Sequence, residues 1–412
     1  MRYVIVLMIV LMGVCTLVNA ATRQNAGGEN HLNGDEPLST RNGQSFNAEA
    51  RRNFKPQTRL YGGELLCEMN VVSECSSLPG IYAIDTSLKK ISCVIPYGKK
   101  PIWSPDHKRL VYWYNAVPYL YETATGDSYP IARKYLIGAP VTSDICWTPD
   151  SKNVVYLMVC PPFPSILPHS ASLVNPNAEP DPIWDRAAVE QVGAISFSSD
   201  GNYAAYVSAT YYSNRLKLPR DICVANLKDN TYKTISNTIV GDRYCYNPQW
   251  QPNGPLIAFE TYSNNNKKND VFLYNTSNGS LKSLSLIGRP YSNGGVLKEK
   301  EAYSKRLLNW SPDGKCLLIV PEHKDATVLP AESAYLNIVP LDETKPLETI
   351  CNSSGLFFDA SWSSDGSQIA YLYNPWSIEP SYNRVELYFW KKGEGLDVMR
   401  LPEALVPVDV EW

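Results

Sequence analysis

Two sets of residues in this 412-residue chain have the types and spacing to do chemistry. The first stands three positions ahead of a recurring aromatic residue: Lys100, Asp144, Ala194, Asn247, Leu307, Asp359 and Asp409. If the elements carrying them surround an axis, the polar members Lys100, Asp144, Asn247, Asp359 and Asp409 are candidates to line a central channel. Three carboxylates so placed could hold a cation through oxygen ligands; the commoner use of such groups is to cap strand ends by hydrogen bonding. The second set comprises Tyr211, Tyr212, Arg215, Arg243, Tyr244, Arg289, Tyr291, Trp376 and Tyr382, all in long connecting segments. Tyr, Trp and Arg are the usual anchors of recognition surfaces, because each offers a large rigid contact area or a fork of donors. Against that, individual members of such a set often only cover a neighbouring loop.

Other chemistries lack their parts. There is no Gly-x-Ser-x-Gly nucleophile elbow and no stretch that could form a hydrolase domain beside it. No phosphate-cradling loop and no Cys-x-x-Cys pair occurs, and four histidines leave little room for a histidine-rich metal site. His169 and His323 fall in connecting segments and could converge, but a histidine in a loop is more often simply exposed. No cofactor, no metal and no catalytic residue are therefore expected.

The elements that must position these residues follow from a repeat. Trp103-Ser-Pro-Asp106, Trp147-Thr-Pro-Asp150, Phe197-Ser-Ser-Asp-Gly201, Trp250-Gln-Pro-Asn-Gly254, Trp310-Ser-Pro-Asp-Gly314 and Trp362-Ser-Ser-Asp-Gly366 recur at intervals of 44, 50, 53, 60 and 52 residues. The aromatic ends one strand and packs between sheets; Pro, Asp and Gly preset the turn that follows. A second strand comes next, as in Leu256-Ile-Ala-Phe259, and then a hairpin such as Val271-Phe-Leu-Tyr274 turning at Ser277-Asn-Gly279. Four antiparallel strands per unit of about fifty residues make a β-propeller blade. Tyr61-Gly-Gly-Glu-Leu-Leu-Cys67 aligns with the turn and second strand of a blade that lacks its innermost strand, and Val406–Trp412 reads as that strand. The fold class expected is all-β: a seven-bladed β-propeller whose C-terminal strand completes the first blade, with six blades as the alternative.

The Trp-Ser-Pro-Asp-Gly blades resemble the WD-repeat-like propeller repeats of the TolB family, over roughly residues 60–412. That resemblance implies the fold more than the role, since the same repeat occurs in translocation proteins, in propellers of prolyl-oligopeptidase-type enzymes and in propeller lyases. Two departures stand out. TolB-type proteins carry a folded α/β domain ahead of the blades, where this chain has some forty polar residues, and the TolB propeller has six blades.

In a propeller the second-to-third and inter-blade connections emerge on one face. Here these are the long ones, Pro161–Ser170, Ser208–Arg220, Tyr262–Asp270, Leu286–Leu308, Pro321–Ala334 and Asn374–Arg384, while the opposite face has tight turns throughout. The Pro-rich insert from Pro161 to Val192 reads as an irregular flap. Long loops on a rigid scaffold are where binding residues concentrate. The expectation is a non-catalytic propeller that binds a protein, peptide or glycan partner on its loop-rich face; the alternative is a propeller lyase or hydrolase acting on an oligosaccharide.

Arg2, an apolar run Val4–Val14 and Ala20 read as an export signal cleaved near Ala20 (residues 1–20), followed by a flexible polar leader (21–58) and the propeller (59–412). No later stretch is long and apolar enough to span a membrane, so a periplasmic or extracellular monomer is expected. A formal charge of −3 gives no case for nucleic acid. Export permits disulfides, and Cys67 with Cys75 or Cys223 with Cys245 could pair; equally, these are small buried apolar residues.

Overall fold

In a computed structural model, the described residues are 60, 63–71, 78–114, 117–131, 140–160, 165–172, 181–182, 192–209, 220–239, 243–263, 265, 268–297, 304–322, 334–353, 355–375, 385–402 and 405–412. They build seven four-stranded antiparallel sheets. Six are continuous in sequence and begin with the innermost strands Lys99–Trp103, Pro140–Trp147, Val192–Phe197, Arg243–Trp250, Ser304–Trp310 and Gly355–Trp362, here blades 2 to 7. Blade 1 has Leu65–Val71, Gly80–Asp85 and Lys90–Pro96, and takes its innermost strand, Leu405–Glu411, from the C-terminus. The closing register runs Leu66↔Glu411, Cys67↔Val410 and Glu68↔Asp409, and Trp412 packs against the apolar cluster that holds Leu65, Cys67 and Tyr82. The strand alternation and the turn residues thus give the expected propeller, closed by its own tail.

The repeated turn has one chemical design. In blade 7, Ser363 Oγ donates to Asp365 Oδ1 (2.6 Å) and accepts the Gln368 N–H (2.9 Å), so one hydroxyl ties the turn to the start of the second strand. Ser104, Thr148, Ser198 and Ser311 repeat it on Asp106, Asp150, Asp200 and Asp313. Blade 5 has Gln251 instead, whose Oε1 accepts the Leu256 N–H and whose Nε2 reaches the carbonyl of Gly314 in blade 6. Gly201, Gly314 and Gly366 sit at φ +68 to +69°, the left-handed conformation the last turn position requires.

Blades are joined by the turn aromatics. The indole N–H groups of Trp103, Trp147 and Trp310 donate to the carbonyls of Glu64, Ile102 and Gln249 in the preceding blade. Around them lie apolar clusters that cross each seam, such as Trp147 with Val111 and Tyr206, and Trp310 with Val271 of blade 5 and Leu317 of blade 6. Seven described cysteines are free thiols, among them Cys67, Cys223 and Cys245, which are buried in these clusters; the Cys223–Cys245 pairing does not form, and Cys75 lies outside the described residues.

Two sequence readings of elements change. The third strand of blade 3 is Ser165–Ser172, with His169 paired to Tyr156 and Pro182, inside what reads as a loop and flap. Prolines made that stretch look broken, yet proline is tolerated where a strand lies toward a sheet edge. The connections are also uneven: Pro96 to Lys99 and Ser353 to Gly355 leave only two residues and one residue between blades, and Tyr114 to Val117 leaves two. Connections of eight or more residues run between the second and third strands of blades 1, 4, 6 and 7 and between successive blades from 2 to 6, and a further one of eight joins the third and fourth strands of blade 3, on the face that reads as tight turns.

Candidate functional site

Every innermost strand carries a register shift against its partner, with unpaired residues one to four positions ahead of the repeat aromatic, or three to six in blade 3. The inserted residue bends the strand where it faces the axis. Lys100, Ala194 and Asn247 hold it in the left-handed region, at φ +49°, +31° and +52°. These three stand three positions before the aromatic and fall in the bulge, whereas Leu307, Asp359 and Asp409 are paired residues beside it. Lys100 and Asn247 line a cavity of about 360 Å³ bounded by the innermost strands of blades 2 to 5, together with Cys146, Ala194, Ser196 and Gln249.

The side chains of Asn247 and Asp359 reach into seams between blades. Asn247 Nδ2 donates to Glu260 Oε2 (3.0 Å) and to the carbonyl of Leu307 in blade 6 (3.1 Å), and Gln249 Nε2 donates to the carbonyl of Leu308 (2.6 Å). Asp359 Oδ2 accepts the N–H of Val410 (3.0 Å), binding blade 7 to the closing strand. Leu307 is buried, and its N–H donates to Glu260 Oε1 (2.9 Å). Glu68 occupies the matching place in blade 1 and accepts the Lys100 N–H (2.8 Å). These two buried glutamates, which spacing did not single out, cap the bulge of the next blade. Asp144 lies in the innermost strand of blade 3.

Carboxylates gather where the ring closes. Asp409 stands beside Asp359; desolvation, followed by that carboxyl, raises its pKa, and the Lys100 charge opposes the shift. Glu411, beside the Trp103 N–H, is pushed up to about 8 by desolvation and by Asp409. Desolvation and Asp409 also raise Glu68, against the Lys100 N–H bond and the charges of Lys99 and Lys100. Among the described residues, no group of three or more His, Cys, Asp or Glu side chains is arranged to hold a metal ion.

Of the recognition set, Tyr211, Tyr212, Arg215, Trp376 and Tyr382 lie outside the described residues, as does His323. Arg243 and Tyr244 open the innermost strand of blade 5 at its loop-bearing end. The Arg243 guanidinium sits 5.8 Å from the Phe272 ring centroid, and Tyr244 stacks on Tyr262 at 6.5 Å. Arg289 is no surface anchor: it is 7% exposed and donates to the carbonyls of Pro340, Asp342 and Lys345. Its partners form the third-to-fourth-strand turn of blade 6, so the segment carrying Arg289 and Tyr291 reaches toward the tight-turn face; Tyr291 is bridged to Leu347 there. The physical reason is that a guanidinium with three backbone acceptors satisfies a loop that would otherwise bury bare carbonyls. The tight-turn face is not featureless either. A cleft of about 710 Å³ opens between blades 5, 6 and 7, lined by Cys316, Lys345, Trp362, Trp390 and Lys392 among others.

No protein-family model and no curated protein matches the chain. Among solved structures, an oligogalacturonate lyase in complex with manganese is similar over 83% of this chain and 86% of its own, with 13% identity and a TM-score of 0.53. A prolyl endopeptidase is similar over 84% of this chain and 49% of its own, also at 13% and 0.53. A TolB from Agrobacterium tumefaciens is similar over 76% of this chain and 99% of its own, with 15% identity and a TM-score of 0.48. The fold is a β-propeller. At these identities the likeness concerns the fold alone, and a propeller of this kind hosts unrelated activities.

Proposed function

We propose that this TolB-like propeller is an exported, non-catalytic binding module that engages a protein, peptide or glycan partner through its loop-bearing face. The carrying observation is the asymmetry of the scaffold. Tight Ser-Asp turns join the first and second strands of every blade from 2 to 7 except blade 5, where Gln251 substitutes, while connections of eight or more residues leave the other end within blades 1, 4, 6 and 7 and between successive blades from 2 to 6. At that end the described surface presents Arg243 and the stacked Tyr244 and Tyr262, residue types that give rigid contact area at low entropic cost. Export rests on the basic start, the apolar run Val4–Val14 and Ala20.

The test is capture of partners from an exported fraction with wild type, with Arg243→Ala plus Tyr244→Ala, and with Tyr212→Ala plus Trp376→Ala. Loss of a wild-type partner by about tenfold or more in either double variant is expected, since removing an anchor typically costs upwards of about 1 kcal/mol. Unchanged recovery in both would remove the loop-bearing face as the binding surface.

A further inference from the structure

One residue at the loop-bearing end sits where its backbone resists it. Tyr97 is the first of the two residues that link blade 1 to blade 2, at φ +60° and 52% exposed. The Ile95 carbonyl accepts the Gly98 N–H (3.1 Å), so Ile95-Pro96-Tyr97-Gly98 is a four-residue turn with proline at its second position. Proline suits that place, but positive φ at the third is the territory of glycine or asparagine. Among the described residues Tyr97 is the only Tyr, Trp or Phe with positive φ. A bulky side chain adopts that conformation at a cost, and burial of the ring does not offset it here.

The surroundings fix this turn. The Tyr97 N–H donates to the Pro79 carbonyl (2.7 Å), and the Tyr82 hydroxyl donates to the carbonyl of Leu78 (2.6 Å). Two close approaches need glycine. A Cβ on Gly80 would meet the Ile95 carbonyl oxygen, and one on Gly98 would meet the Ile95 and Ile81 side chains at 2.7 and 2.9 Å. Residues 78–80 are thus pressed against the turn, with Leu78 39% exposed beside it and Ile81 and Ile95 in the core cluster below. Lys99, exposed two residues on, gives the patch a cationic edge, with the buried Glu68 within reach of that charge. Residues 78–82 and 94–100 contain no Asp, Glu, Asn or Gln.

We propose that Tyr97 and Leu78 form a recognition anchor of the loop-bearing face, taking an aliphatic side chain next to a carboxylate from an exposed segment of a protein partner. This rests on the reading that the loop-bearing face binds. An aliphatic group covers the ring and Leu78, where removing apolar area from water is favourable, and a carboxylate fits the Lys99 edge. A sugar suits the patch less, because the segments that build it lack the amide and carboxylate side chains that sort hydroxyl groups. Glycine at position 97 would relax the turn; tyrosine there instead holds a large ring in water on a rigid base, which serves contact with another molecule and not packing within the chain.

The probe is a phage-displayed library of random short peptides, selected on the full chain, with the recovered sequences then synthesised. They are expected to carry Leu, Ile or Val beside Asp or Glu, and their dissociation constants to rise about tenfold or more for Tyr97→Gly in calorimetry. Tyr97→Gly supplies the residue the turn prefers, so its thermal midpoint is expected to equal or exceed that of wild type, which separates lost recognition from lost folding. Should that variant lose stability, Leu78→Ser, at an exposed site, gives the same comparison. Peptides that bind the folded variant as tightly as wild type overturn the proposal. If Arg243→Ala plus Tyr244→Ala then weakens them, the loop-bearing face stands and only this anchor falls; if it does not, the face falls as well. Enrichment of peptides without an aliphatic side chain overturns the proposal, as does no enrichment. Binding instead to vesicles of phosphatidylcholine and phosphatidylglycerol, lost in Tyr97→Gly, overturns it in favour of a lipid surface.

Discussion

Ser104, Thr148, Ser198, Ser311 and Ser363 show how a single hydroxyl can serve two bonds, one to the turn carboxylate and one to the strand that follows. The arrangement has an electrostatic signature. Hydrogen bonds from the Ser363 hydroxyl and then the Ser367 N–H hold the Asp365 carboxyl below its ordinary value, and Ser198 and the Asn202 N–H do so for Asp200. A depressed carboxylate contributes stability above its unfolded value that is lost as pH falls through the folded one, so these turns weaken in acid, below about pH 4. Ser363→Ala is expected to lower unfolding stability by about 1 kcal/mol in urea titrations and to move the Asp365 carboxyl upward in an NMR titration. An unmoved carboxyl would show that the hydroxyl is not its main partner. Turn roles of this kind are local and legible from Ser-Pro-Asp-Gly alone. The role of Arg289 is not, because its acceptors lie 51 to 56 positions away.

Elements are joined by a few polar bonds set in apolar seams. Lys305 at the start of the innermost strand of blade 6 meets Asp270 of blade 5 at 2.6 Å, with side chains 6% and 18% exposed, and also donates to the carbonyl of Leu284. Burial lowers the lysine and the Asp270 carboxylate works against that. Breaking one half of a buried pair strands the other charge, at a cost of about 3–5 kcal/mol. Asp270→Asn should therefore lower the denaturation midpoint sharply, and Asp270→Leu with Lys305→Met should recover most of the loss; equal damage from both would mean that packing rather than charge dominates. The bulges belong to this scale as well. Alternation marks the innermost strands, but an odd number of extra residues, one in most strands and three in blade 3, reverses which side a polar group takes. Asn247 lines the inner cavity and still directs its amide into the seam with blade 6, and Asp359 accepts the Val410 N–H across the closing seam.

For the molecule as a whole, closure decides stability. The strand Leu65–Val71 would be an open edge if Leu405–Glu411 were absent, and an apolar edge with free N–H and C=O groups pairs with other chains. Removal of 405–412 is expected to give concentration-dependent association in light scattering, reversed by a peptide of that sequence added in excess. A truncated chain that stays monomeric without the peptide would show that the blades hold the ring unaided.

What the sequence determined by itself was everything with a short period: the strand alternation, the turn chemistry, the repeat near fifty residues and the closing role of Trp412. Those follow from local sterics and from burial of one aromatic per blade, which leave the same mark each time. Only the tertiary structure decided the pairing of Asp409 with Asp359 and Glu68, the capping by Glu260 and the burial of Arg289. These depend on bulges and on contacts between blades, where a shift of one residue moves a charge from water into a seam.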